Sequence, residues 1–326
     1  MKAIVISRPG GPEVLEIQER PLPSPGRGEV RVRVRATAVN RADLLQRAGS
    51  YPAPPDAPPD IPGLEFSGEV DEVGEGVQDL VLGDRVFGLC GGGAYAEALV
   101  VHGRAVAKLP RGLSFTEAAA IPEAFITAWD ALVEQGGLRA GERVLIHAAG
   151  SGVGTAAIQV ARAIGARAIG TARTADKLER ARPLGLDEAV LVENDAFAAT
   201  IMEVTGGNGV DVVLELVGGC YLAEDLGCMA SRGRIVLVGL LAGSRADLDL
   251  RSLLHRRLRL TGTVLRARPL EEKIAAVRQL DRHLTPLFER RALQPIVDRV
   301  LPLARAAEAH ALVGSNTTFG KVVLEI

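Results

Sequence analysis

Val144, Leu145 and Ile146 run into His147-Ala148-Ala149-Gly150-Ser151-Gly152-Val153-Gly154, and a helix-patterned stretch follows. The first three suit a buried parallel strand. Val153, Ala157, Ile158, Val160 and Ala161 suit the face of a helix packed on that sheet. A strand, a small-residue turn and a helix N-terminus make an anion site, because first-turn amides lack partners and the helix dipole adds positive charge. Gly152 and Gly154 let the backbone approach a pyrophosphate and the helix approach its strand, with Gly150, Ser151 and Val153 completing the turn. No GxSxG elbow surrounds Ser151, so its hydroxyl suits donation to phosphate better than attack on a carbonyl. The chemistry implied is that of a nucleotide cofactor. An ordinary strand-to-helix turn is the plainer alternative.

The choice of cofactor turns on the end of the next strand. An NAD site places a carboxylate there for the ribose hydroxyls. This chain reads Thr171-Ala172-Arg173-Thr174, with no carboxylate before Asp176 and with Lys177 beside it. Arg173 and Lys177 suit a 2′-phosphate, which favours NADPH; both also fit as solvated residues at a helix start. A hydrogen bond to a charged group is worth about 1.5–3 kcal/mol, or roughly tenfold to a hundredfold in affinity. Metal chemistry finds little support. His102, His147, His255, His283 and His310 show no ligand spacing, and Cys90, Cys220 and Cys228 are scattered.

The elements that must position these residues fall into two patterns. Val30, Val32 and Val34 alternate with Arg31, Arg33 and Arg35, the mark of a half-buried strand in a β-rich first third. Short strands are expected at 68–76, 83–88 and 95–101. Residues 51–62 hold six prolines, too many for a central strand, and read as a stiff surface loop. From about Phe125 the pattern alternates: strands at 143–147, 168–172, 189–192, 210–214 and 234–238, helices at 152–164, 176–184, 196–204 and 221–229. That implies a doubly wound parallel sheet. A last strand is expected at 258–264, a helix at 270–290 and a closing strand at 321–326. At 326 residues, 47% hydrophobic and 24% charged, two soluble domains are the expectation. A formal net charge of −2 gives no global attraction to nucleic acid or anionic membrane. The basic cluster His255, Arg256, Arg257 and Arg259 is a thin argument for RNA. No apolar run suits a bilayer span and the N-terminus reads as a strand, so a cytoplasmic enzyme is expected.

Seven segments in order carry a resemblance: 38–43 (AVNRAD), 49–52 (GSYP), 62–68 (PGLEFSG), 118–124 (AAAIPEA), 152–159, 238–240 (VGL) and 316–322. The chain resembles the medium-chain dehydrogenase/reductase superfamily, and within it the zinc-free NADPH:quinone oxidoreductases. In zinc-dependent relatives a ligand cysteine falls where Asn40 stands and a ligand histidine where Leu64 stands, so the resemblance implies no metal. A quinone needs no Lewis acid, being electron-poor already.

The resemblance implies an α/β fold: a Rossmann domain at 125–262, and a β-rich, chaperonin-10-like (GroES-like) catalytic domain at 1–124 with 263–326. It places substrate in a cleft between them, with hydride passing from NADPH to a quinone or related conjugated carbonyl. Asn40 and Tyr51 would line the substrate side, Asn40 donating to a quinone oxygen. Thr127, Gly239 and Leu240 would lie near the nicotinamide, and Asn316 would be a late cofactor contact. No residue stands out as a dedicated acid, so protonation is expected from solvent. A homodimer through 258–264 is implied. Reduction of enone or enoyl-thioester C=C bonds stays open, as does an NADPH-binding regulatory or crystallin-like protein without turnover.

Overall fold

The computed structural model describes residues 1–326, which form two compact units: Met1–Ile126 with Leu265–Ile326, and Thr127–Val264.

The first unit is β-rich. A hairpin pairs β1 (Lys2–Ile6) with β2 (Leu15–Glu19). Then come β3 (Glu29–Ala38), α1 (Arg41–Arg47), β4 (Glu65–Val73), β5 (Arg85–Leu89), β6 (Ala98–His102), β7 (Val106–Lys108), α2 (Phe115–Ala119) and the start of α3 (Pro122–Trp129). In β3, Val30, Val32 and Val34 are buried, while Arg31 and Arg33 pair with Asp71 and Glu69 on β4. That is the expected alternation, with charge neutralised across the strands. The proline segment contains no strand or helix.

The second unit builds the alternating array: β8 (Arg143–Ile146), α4 (Gly152–Ile164), β9 (Arg167–Ala172), α5 (Ala175–Ala181), β10 (Glu188–Leu191), α6 (Ala198–Val204), β11 (Val210–Glu215), α7 (Tyr221–Cys228), β12 (Met229–Leu237), α8 (Leu250–Arg256) and β13 (Arg259–Gly262). All six strands are parallel, in the order β10-β9-β8-β11-β12-β13. The order reverses between β8 and β11, the switch point where such sheets take ligands. α4 matches the sequence reading end to end, because Ser151 caps it and Gly165 ends it at φ 84°. β12 starts five residues earlier than expected, and the seven-residue α8 was not foreseen, although Leu250, Leu253 and Leu254 stand at helical spacing; none of its residues is fully buried.

The chain then returns to the first unit through α9 (Leu270–Gln279), α10 (Thr285–Glu289), β14 (Val297–Pro302), α11 (Ala306–Gly314) and β15 (Lys321–Glu325). The single helix expected at 270–290 is interrupted by a π-helical segment at Leu280–Leu284 ahead of Pro286, which has no amide to give. The main sheet runs β14-β15-β3-β4-β5-β7, with β6 also on β3. No helix is long and apolar enough to cross a membrane.

Candidate functional site

In the 127–264 unit, β8 delivers the turn whose residues could hold an anion. Ala148 turns the backbone at φ 49°, and Ser151 Oγ accepts from the Gly154 amide at 3.0 Å, leaving its own O–H to donate outward. A Cβ on Gly154 would collide with the Ala148 carbonyl and the Ala149 backbone, so α4 packs against the turn as only glycine permits. At Gly150 a Cβ would come within 2.8 Å of the Lys177 stem, so that lysine lies along the turn. Arg173, just past β9, is exposed. After β12, the Gly239 amide donates to the Glu215 carbonyl at 3.2 Å, and Leu240 is half exposed. Gly150, Ser151, Gly152, Val153, Gly154, Arg173, Lys177, Gly239 and Leu240 thus gather at the C-terminal ends of neighbouring strands around the switch point. The arrangement fits a dinucleotide: helix-opening amides, a hydroxyl, glycine where a side chain would obstruct, and cations where an NAD site has a carboxylate.

Beneath the turn lies a polar network that the sequence did not announce. His147 is fully buried between Thr171 Oγ1 (2.8 Å from Nδ1) and Asp225 Oδ1 (2.8 Å from Nε2), with Glu215 Oε2 at 3.6 Å. Those partners assign the proton to Nε2. Glu215 Oε1 accepts from the amides of Val217, in a short contact, and Gly218, at 2.9 Å. Burial pushes His147 down to about 4, Glu215 up to about 8 and Asp225 up to about 7. The imidazole is therefore neutral at neutral pH, and Glu215 holds a proton. Thr171, His147 and Glu215 sit at the ends of β9, β8 and β11, so one network ties together the three strand ends flanking the switch point.

The first unit holds a second cluster. Glu65, wholly buried on β4, accepts from Asn40 Nδ2 and Lys321 Nζ, both at 2.8 Å, through Oε1, and from the Glu123 amide at 2.8 Å through Oε2. Lys321 also donates to Asn40 Oδ1 at 2.6 Å. Asn40 Nδ2 is directed at Glu65 and the Ala38 carbonyl, so this side chain orients its neighbours instead of offering a free donor. Asp43, on the first turn of α1, accepts from the Asn40 and Gly63 amides, and burial pushes it up to about 6. Arg266 donates to the Tyr51 and Gly91 carbonyls and to Gln46, and its guanidinium lies 5.2 Å from the centre of the Tyr51 ring. Burial raises the Tyr51 phenol. It also pushes Glu123 up to about 8, with Glu65 adding repulsion, and Cys90 up to about 12, which leaves that thiol protonated and unreactive.

Asn40 and Tyr51 therefore belong to one connected region of this unit. Thr127 is buried in α3, five residues past its start. Asn316 is exposed at φ 58°, its side-chain oxygen accepting from Arg41 in a short contact. Sequence reasoning passed over Glu65, Glu123, Lys321, Arg266 and Asp43. A carboxylate between Leu64 and Phe66, and another straight after Pro122 in an apolar run, were the available signals.

Residues 26–111 match the alcohol dehydrogenase GroES-like domain family, and residues 152–281 match the zinc-binding dehydrogenase family. A quinone oxidoreductase from Lama guanicoe is 34% identical over 327 residues, 99% of this chain and 97% of the relative. One from Pseudomonas aeruginosa is 35% identical over 331 residues, covering 99% of both chains. The crystal structure of Escherichia coli quinone oxidoreductase complexed with NADPH aligns with a TM-score of 0.89 at 31% identity, over 100% of each chain.

Proposed function

We propose that this chain, which belongs to the quinone oxidoreductase family of the medium-chain dehydrogenase/reductase superfamily, reduces quinones or related conjugated carbonyls with NADPH and without zinc. The observation that carries the reading is the pairing of a glycine turn overlaid by Lys177 with a second polar cluster in which no cysteine or histidine joins Asn40, Glu65 and Lys321. NADPH supplies the hydride. The amides opening α4 and the Ser151 hydroxyl bind its pyrophosphate, and Arg173 and Lys177 its 2′-phosphate. Gly239 and Leu240 support the nicotinamide side of the site, with Thr127 and Asn316 as further contacts.

In the other unit, Lys321 and Asn40 hold Glu65, and Arg266 fixes the Tyr51 loop, so the phenol meets the acceptor at little entropic cost. The exposed Leu260 on β13, an edge strand, and the exposed Val264 just past it support a homodimer, and we place the protein in the cytoplasm. The test is NADPH oxidation across a quinone panel, with and without a zinc chelator, beside calorimetric titration of NADPH. Saturable binding and chelator-resistant quinone reduction are expected. Tight binding without turnover on any electrophile points instead to a regulatory protein.

A further inference from the structure

Within the Asn40–Glu65–Lys321 region, Glu123 is the carboxyl that no protein donor holds. Its amide is fixed on Glu65 Oε2, which pins the first turn of α3. Its carboxyl makes no hydrogen bond or ion pair. Asp43 differs, with both oxygens occupied by backbone amides, as does Glu65, with both occupied by Asn40, Lys321 and the Glu123 amide. The charged and titratable groups facing Glu123 are Glu65 and Asp43, which oppose its ionisation, and Lys321 and Arg266, which favour it; Tyr51 and Cys90 complete the set. Both cations are already engaged, Lys321 by Glu65 and Asn40, Arg266 by Gln46, Gly91 and Tyr51. A neutral carboxylic acid is the form this surrounding stabilises, and a neutral acid with an uncommitted O–H is a proton source.

Resting on the reductase reading above, we infer that Glu123 is the proton donor to the reduced acceptor. A quinone becomes a hydroquinone by gaining one hydride and one proton. The hydride brings both electrons to one end of the conjugated system as the nicotinamide is oxidised. The Glu123 O–H bond breaks while a new O–H bond forms on the opposite carbonyl oxygen, and the electron pair stays on Glu123 as a carboxylate. Water then returns a proton, a step favoured because Glu65 and Asp43 disfavour a third negative charge beside them.

The test is single-turnover NADPH oxidation with 1,4-benzoquinone from about pH 6 to about pH 10 for wild type, Glu123→Gln, Glu123→Asp and Tyr51→Phe, with NADPH affinity measured by calorimetry. The wild-type rate should fall about tenfold per pH unit above about pH 8. Glu123→Gln should be about a hundredfold slower at neutral pH and lack the alkaline break, with unchanged NADPH affinity. Glu123→Asp should restore the break at an intermediate rate. In ¹³C-glutamate NMR, Glu123→Gln should delete one carboxyl that titrates near pH 8. The inference is overturned, with the reductase reading intact, if Glu123→Gln keeps the wild-type rate and break, or if Tyr51→Phe abolishes the break instead. No wild-type oxidation with any quinone overturns both.

Discussion

Lys177 shows how much one side chain decides here. Its stem lies along Gly150, and in the proposed site it stands with Arg173 where an NAD site has a carboxylate. On the proposed reading, Lys177→Ala should weaken NADPH binding about tenfold to a hundredfold while leaving NADH within a few-fold, because only the proposed 2′-phosphate contact is removed. Calorimetry with both cofactors checks this; equal losses would show that Lys177 acts on the turn alone. Asn40 teaches a different lesson. Its residue type suggests a donor to substrate, but its amide is committed to Glu65 and Ala38. Asparagine at a turn reads the same either way in sequence. The partners that settle its geometry lie 25 and 281 residues away.

At the scale of elements, the β8–turn–α4 unit was legible because every cue in it is local: a buried run, glycines, a serine cap and an apolar helix face. Gly154→Ala should cost about 1–3 kcal/mol and weaken cofactor binding, since the new methyl meets backbone that cannot rotate away. Thermal unfolding and NADPH titration of the variant check both effects. The network beneath the turn was illegible, because His147, Thr171, Glu215 and Asp225 come from four elements and only parallel pairing brings them together.

That network gives a pH signature. Glu215 has a folded pKa of about 8, above its ordinary value of 4.5, so the native state binds the extra proton and stability falls as pH rises between those values. His147, lowered from 6.5 to about 4, acts oppositely, its contribution growing as pH rises through that lower window. Above about pH 6.5 only the decline remains from this pair. Glu215→Gln should make the decline shallower in denaturant melts between about pH 6.5 and about pH 8, while Glu123, also raised to about 8, keeps its share. An unchanged slope would mean Glu215 is ionised in the native state.

For the whole molecule, the sequence conveyed the two kinds of architecture, because hydrophobic period changes from strand-like in the first third to alternating in the middle. It conveyed the exposed helices poorly: Leu250, Leu253 and Leu254 of α8 stand at helical spacing, yet the helix is only seven residues long and buries none of them fully. NADPH at about a hundred times its Kd should stabilise the protein by about 2.7 kcal/mol, raising Tm by roughly 4 °C. The central claim, hydride transfer from NADPH to a quinone without metal, is tested most directly by single-turnover absorbance with C4-deuterated NADPH and 1,4-benzoquinone in excess chelator. The account predicts protein-dependent oxidation that slows on deuteration. Absence of protein-dependent oxidation, or its loss when the chelator is added, would contradict it.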